Sequence, residues 1–212
     1  MKNKSKTVYI ALLALIVWFG LVLQFYISTE KYISEGRTFG GAIVQLLSYF
    51  TIQNNFLVAL SLTLIWLLPS SSWGKFFSKT STLTAIAFYI TIVFLVYQII
   101  LRRQHTMHGL FALANEILHT VSPILFVLFW LIFVFKGNIP WIKALTWLIY
   151  PLLYLVYALV RGAFTGYYPY SFIDGNVLSY VQITINSVGL LVVFLLMGSL
   201  FIFIDRSLKK QR

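Results

Sequence analysis

The chain has 212 residues, 60% of them hydrophobic and 10% charged, with a formal net charge of +11 and a mean hydropathy of +0.88. A soluble domain carries about a quarter charged residues, so this balance excludes a water-soluble globule and points to a membrane. The basic residues sit at the termini and in short joints rather than in one stripe, which excludes nucleic acid as a partner; with no cysteine there is no disulfide, thiol nucleophile or thiolate metal site.

Six apolar segments reach the roughly 20 residues needed to cross a bilayer. The first, about Val8–Ile27, follows MKNKSK; it is too long for a signal-peptide core and no small-residue cleavage site follows, so it reads as a permanent span. The second, about Ala42–Leu68, carries Gln45, Ser48, Thr51, Gln53, Asn54 and Asn55 in its first half, then FLVALSLTLIWLL. The third, about Leu83–Leu101, holds Gln98 near its end. The fourth, about Leu110–Phe135, buries Asn115, Glu116, His119 and Ser122 ahead of LFVLFWLIFVF. The fifth, about Ile142–Val160, runs into RGAFTGYYPYSFID, and the sixth, about Tyr180–Ile204, opens with Gln182, Thr184, Asn186 and Ser187. The joints are too short for a soluble domain. Lipid leaves only helices and closed barrels to satisfy the backbone, so the expected fold is all-α: one six-transmembrane-helix bundle over residues 1–212.

Orientation follows from the basic residues. With the N-terminus inside, the cytoplasmic side holds Lys2, Lys4, Lys6, Lys75, Lys79, Lys136, Lys143, Arg206, Lys209, Lys210 and Arg212, and the other side Lys31, Arg37, Arg102, Arg103 and Arg161. That bias predicts both termini in the cytoplasm of a multi-pass cell-membrane protein, with Arg102–Arg103 as the local dissent.

In that frame the polar residues of the spans fall almost wholly in the outer half. A carboxyl at mid-membrane costs about 3 kcal/mol on insertion scales, so such groups face the bundle interior or a wet cavity. Asn115, Glu116 and His119 lie three and four apart, on one helix face. At about 1.5 Å per residue, Thr51 and His119 lie at similar depth and can meet. The pattern predicts a polar chamber under the outer leaflet with an apolar floor. Plainer readings stand beside it. A Thr in a membrane helix commonly bonds its own i−4 carbonyl, and Asn54, Asn55, Gln182 and Asn186 serve as interhelical hydrogen-bonding groups. Glu116 and His119 also suit a self-satisfied pair. His105 and His108, in RRQHTMH, have no nearby carboxylate, and no metal or cofactor is expected.

The loop after the fifth span reads either as an interfacial aromatic belt or as a lid over the chamber. In the second case Arg161, Tyr168, Tyr170 and Asp174 line the substrate entrance, with Arg161 and Asp174 pairing or gripping an anionic head.

SYFTIQNN, NEILHTVSP and YPLLYLVYALVRGAFTGYYPYSFID resemble, in order and spacing, the androgen-induced / androgen-dependent TFPI-regulating protein family, in particular its bacterial members. The resemblance extends over nearly the whole chain in length and span count. Animal members are multi-pass threonine hydrolases of fatty acid esters of hydroxy fatty acids, using an intramembrane Thr and His. The resemblance implies Thr51, after Tyr49-Phe50, as nucleophile and His119, in an Asn-x-x-x-His-Thr context, as general base. IQNN after Thr51 and Glu116 after Asn115 depart from the animal pattern. In such a site Glu116 or Asn115 would fix the imidazole tautomer. Asn54, Asn55 or Asn186 would hold the oxyanion, where one donor is worth about 3–4 kcal/mol. The expected partner is a membrane lipid or fatty-acyl ester substrate. Two other functions compete: a small proton-linked transporter with a Glu116–His119 relay, and a non-catalytic lipid-binding membrane protein.

Overall fold

The computed structural model describes residues 2–104, 107–137 and 139–209, so His105 lies outside the described residues. Among these, every regular element is helical. Six helices are long and apolar enough to cross a membrane: Lys4–Ser34, Phe50–Leu67, Thr80–Leu101, Gly109–Phe133, Lys143–Thr165 and Tyr180–Ser207. Their surfaces explain why. In α1 (Lys2–Ser34), Ile10, Leu13, Val17 and Leu21 are buried, while Val8, Leu12, Leu15, Phe19, Val22 and Tyr26 recur every three or four residues on the outside. A helix apolar on every side belongs in lipid.

Four spans depart from the continuous helices expected. The second is broken: α2 (Phe39–Leu47) ends at Ser48, Tyr49 is extended at φ −83° and ψ 129°, and α3 (Phe50–Leu67) starts afresh. The buried Ser48 hydroxyl donates to the Val44 carbonyl at 2.6 Å and helps close α2. After the short α4 (Ser72–Phe77), α5 (Thr80–Val96) runs into a π-helical turn, Tyr97–Leu101. The fourth span is α6 (Gly109–Glu116), a second π turn over Ile117–Val121, and α7 (Ser122–Phe133). The fifth begins as α8 (Lys143–Trp147) and restarts after Leu148 as α9 (Ile149–Thr165). Pro151 explains that restart, because it cannot donate to the Trp147 carbonyl and its ring crowds it. A 3₁₀ turn (Ser171–Ile173) precedes α10 (Tyr180–Ser207), whose first turn is capped by the Ser179 hydroxyl accepting from the Gln182 N–H.

The chain forms two compact units, Met1–Phe135 and Lys136–Arg212. The first is packed around Val17, Leu21, Val58, Leu62, Phe88, Phe126, Phe129 and Trp130, all nearly inaccessible. Polar ties stitch its spans together: Trp18 Nε1 donates to Thr63 Oγ1 at 3.0 Å, Tyr9 Oη to the Leu125 carbonyl at 2.8 Å, and Trp130 Nε1 to Thr84 Oγ1 at 2.8 Å. In the second unit, buried Asp205 accepts from the N–H groups of Gly137 and Ile139 at 3.0 and 3.3 Å, anchoring the loop before α8 to the end of α10.

Candidate functional site

The break in the second span decides where Thr51 stands. It is the second residue of α3, at the positive end of an 18-residue helix, and is 7% exposed. His119 is set by a different irregularity. Pro123, four residues on, has no N–H for the His119 carbonyl, and in an α-helix its ring would strike that oxygen. The chain inserts one π turn instead, with the Ser122 N–H bonding the Ile117 carbonyl, and His119 lies at its centre.

These two devices bring the alcohol and the imidazole together: Thr51 Oγ lies 3.2 Å from His119 Nε2. The other nitrogen, Nδ1, lies 3.0 Å from the Asn115 main-chain carbonyl. A carbonyl can only accept, so Nδ1 carries the hydrogen. In the neutral ring Nε2 then keeps its lone pair, and the Thr51 hydroxyl donates to it. The imidazole is half-buried.

The tautomer is thus fixed by Asn115, through its backbone. Its side-chain Nδ2 donates elsewhere, to the Tyr97 hydroxyl. The Tyr97 ring lies against the imidazole, centroids 4.4 Å apart and planes tilted by 31°. Glu116 does not share this work. Its Oε1 accepts from Arg102 Nη2 at 2.8 Å and its Oε2 from Thr120 Oγ1 at 2.8 Å. Gln98 Nε2 donates to Thr120 at 3.0 Å, and Arg102 Nη1 donates to Gln98 Oε1 at 2.7 Å, closing a four-residue ring across the two π turns. Here the common face expected for Asn115, Glu116 and His119 fails: Glu116 turns to a half-exposed ion pair with Arg102.

The expected oxyanion donors have other duties. Asn55 Nδ2 donates to the Thr51 carbonyl of its own helix at 2.9 Å and to the Leu118 carbonyl at 3.0 Å, so both amide hydrogens are used and the second braces α3 against the π turn. Asn54 Nδ2 donates to the Phe50 carbonyl at 2.8 Å. Asn186, in the second unit, donates to the Phe172 carbonyl and accepts from Gln182, both at 2.8 Å. There Arg161 Nη1 donates to the Tyr167 carbonyl at 3.2 Å and stacks over the Tyr167 ring, while Asp174 Oδ1 accepts from the Asn176 N–H at 2.8 Å. Tyr168 fills the space over Gly162 and Gly175, where a Cβ would collide with its ring or hydroxyl. Gly162 is therefore a seat for Tyr168 within a regular helix. Tyr170 and Phe172 stack, centroids 5.2 Å apart.

Tyr97 is the functional neighbour that sequence reasoning missed, because a tyrosine in an apolar run reads as core. The signal was its place in YQIILR, one residue before Gln98 and five before Arg102. Compared with protein-family models, curated proteins and solved structures, the chain matches none of them.

Proposed function

We propose that this protein is a membrane-embedded hydrolase of a lipid ester, of the kind implied by its resemblance to the androgen-induced family. In this reading it lies in the cell membrane with both termini in the cytoplasm, as the distribution of Lys and Arg favours. One observation carries the proposal: a threonine hydroxyl 3.2 Å from an imidazole nitrogen whose tautomer is set for accepting a proton.

Thr51 Oγ attacks the ester carbonyl as His119 Nε2 takes its proton. The tetrahedral intermediate expels the alcohol, which recovers that proton, and leaves an acyl-threonine. Water, deprotonated by the same nitrogen, then releases the fatty acid. The developing negative charge sits beside the first turn of α3, where the helix dipole favours an anion. This replaces the asparagine amides as the source of oxyanion stabilisation. The apolar side chains of α3 and α7 suit an acyl chain.

A Glu116–His119 proton relay, the basis of the transporter alternative, is disfavoured by the partners of both residues. Glu116 bonds Arg102 and Thr120, and the two ring nitrogens of His119 bond Thr51 and Asn115. The test is labelling of membranes with an alkyl-fluorophosphonate probe. Wild type labels, and Thr51→Ala and His119→Ala do not; equal labelling of all three removes the hydrolase.

A further inference from the structure

We infer that Tyr97 is a positioning residue for His119, acting in concert with Asn115; this rests on the hydrolase reading for its catalytic consequence. An imidazole held by one hydrogen bond at each nitrogen can still tip about the line joining them. Something must press on its face. The Tyr97 ring does so at 4.4 Å, and the phenol is itself held: it is buried, and its hydroxyl accepts from Asn115 Nδ2. The three residues form a closed triangle. Asn115 holds the imidazole edge with its main-chain oxygen and the phenol with its side-chain amide, and the phenol holds the imidazole face.

The backbone supports the same role. Tyr97 opens the first π turn, closed by the Arg102 N–H on the Tyr97 carbonyl at 2.8 Å. His119 lies in the second. The Gln98–Thr120 bond joins the two turns one residue beyond each of these side chains, so both rings are fixed to one local frame. Any buried phenol needs a hydrogen-bond partner; what core filling alone would not require is that the partner be the residue whose carbonyl holds the imidazole.

The variants Tyr97→Leu, which removes ring and hydroxyl, and Tyr97→Phe, which removes the hydroxyl alone, separate the contributions. Two readouts are used on the full-length protein in detergent: the maximal rate of fluorophosphonate labelling, and ¹⁵N NMR of histidine-labelled protein at alkaline pH, with His119→Gln identifying the His119 signals. Wild type shows His119 as one tautomer with hydrogen on Nδ1. Tyr97→Leu gives mixed tautomers and slows labelling by roughly tenfold to a hundredfold, the scale expected for a small misplacement of a reacting group. Tyr97→Phe gives an intermediate loss, with the probe concentration for half-maximal rate unchanged. Should Tyr97→Leu keep both the single tautomer and the wild-type rate, the positioning role is overturned while the hydrolase stands. Should wild type fail to label but Tyr97→Leu still scramble the tautomer, the hydrolase falls and the positioning role stands.

Discussion

At the site, what each polar side chain touches separates reactive groups from structural ones. Glu116 meets Arg102 and Thr120 rather than the imidazole. Glu116→Gln is therefore expected to keep probe labelling within a few-fold of wild type, whereas a triad acid would lose orders of magnitude on the same change. Asn55 has the opposite character, with no part in chemistry but two carbonyls depending on it. Asn55→Leu should destabilise the protein by about 1–2 kcal/mol, the range of interhelical polar contacts in membranes, read as a lower midpoint in detergent-induced unfolding. His119 stood out as an ionisable group in an apolar run, whereas Thr51 was singled out only by the resemblance, since a hydroxyl in a span commonly bonds its own i−4 carbonyl. The sequence hid the partner of Nδ1, since every residue has the same carbonyl and only the path of the chain shows which one arrives.

At the scale of the helix, the two irregularities that build the site left unequal traces. Pro123 was a trace of distortion that the expectation of a continuous fourth span left unread, and the π turn answers to it. The break at Ser48–Tyr49 has neither proline nor glycine, so the second span read as one helix from the pattern of apolar residues alone. Close packing holds the π turn in place: a Cβ on Gly20 would lie 2.5 Å from Ile117 Cγ2 and 3.1 Å from Leu118 Cδ2. Gly20→Val should thus cost about 1–3 kcal/mol by overpacking, and should slow labelling by shifting the turn that carries His119. In the second unit, burial lowers the Lys136 ammonium to about 8 from 10.5, against the opposing pull of Asp205. Between those values the unfolded chain binds more protons than the folded one, so stability rises with pH across the window. Unfolding midpoints should rise there for wild type and stay flatter for Lys136→Met.

For the molecule as a whole, the count of spans was readable because length and hydropathy alone determine it; the division after Phe135 falls at a short polar joint no different in kind from the others, so the pattern did not mark it. Six spans require the connecting segments to alternate between the two sides of the membrane. Since the chain has no cysteine, single cysteines report this directly. Replacements of Arg37, Met107 and Asn176 should react with an impermeant maleimide from one side, and replacements of Lys75, Trp141 and Lys209 from the other. Labelling of Arg37 and Lys75 from the same side would rule out a crossing by α3. The choice of an amide oxygen as the companion of the imidazole bears on speed. A resting pair with no formal ion is well matched to a slab of low dielectric, where a lone carboxylate would be costly to keep. In the proposed reaction, however, the cation born on the ring touches no carboxylate directly, because Glu116, one turn away, is already engaged by Arg102 and Thr120. Such a centre would turn over more slowly than one whose imidazole bonds a carboxylate at its far nitrogen.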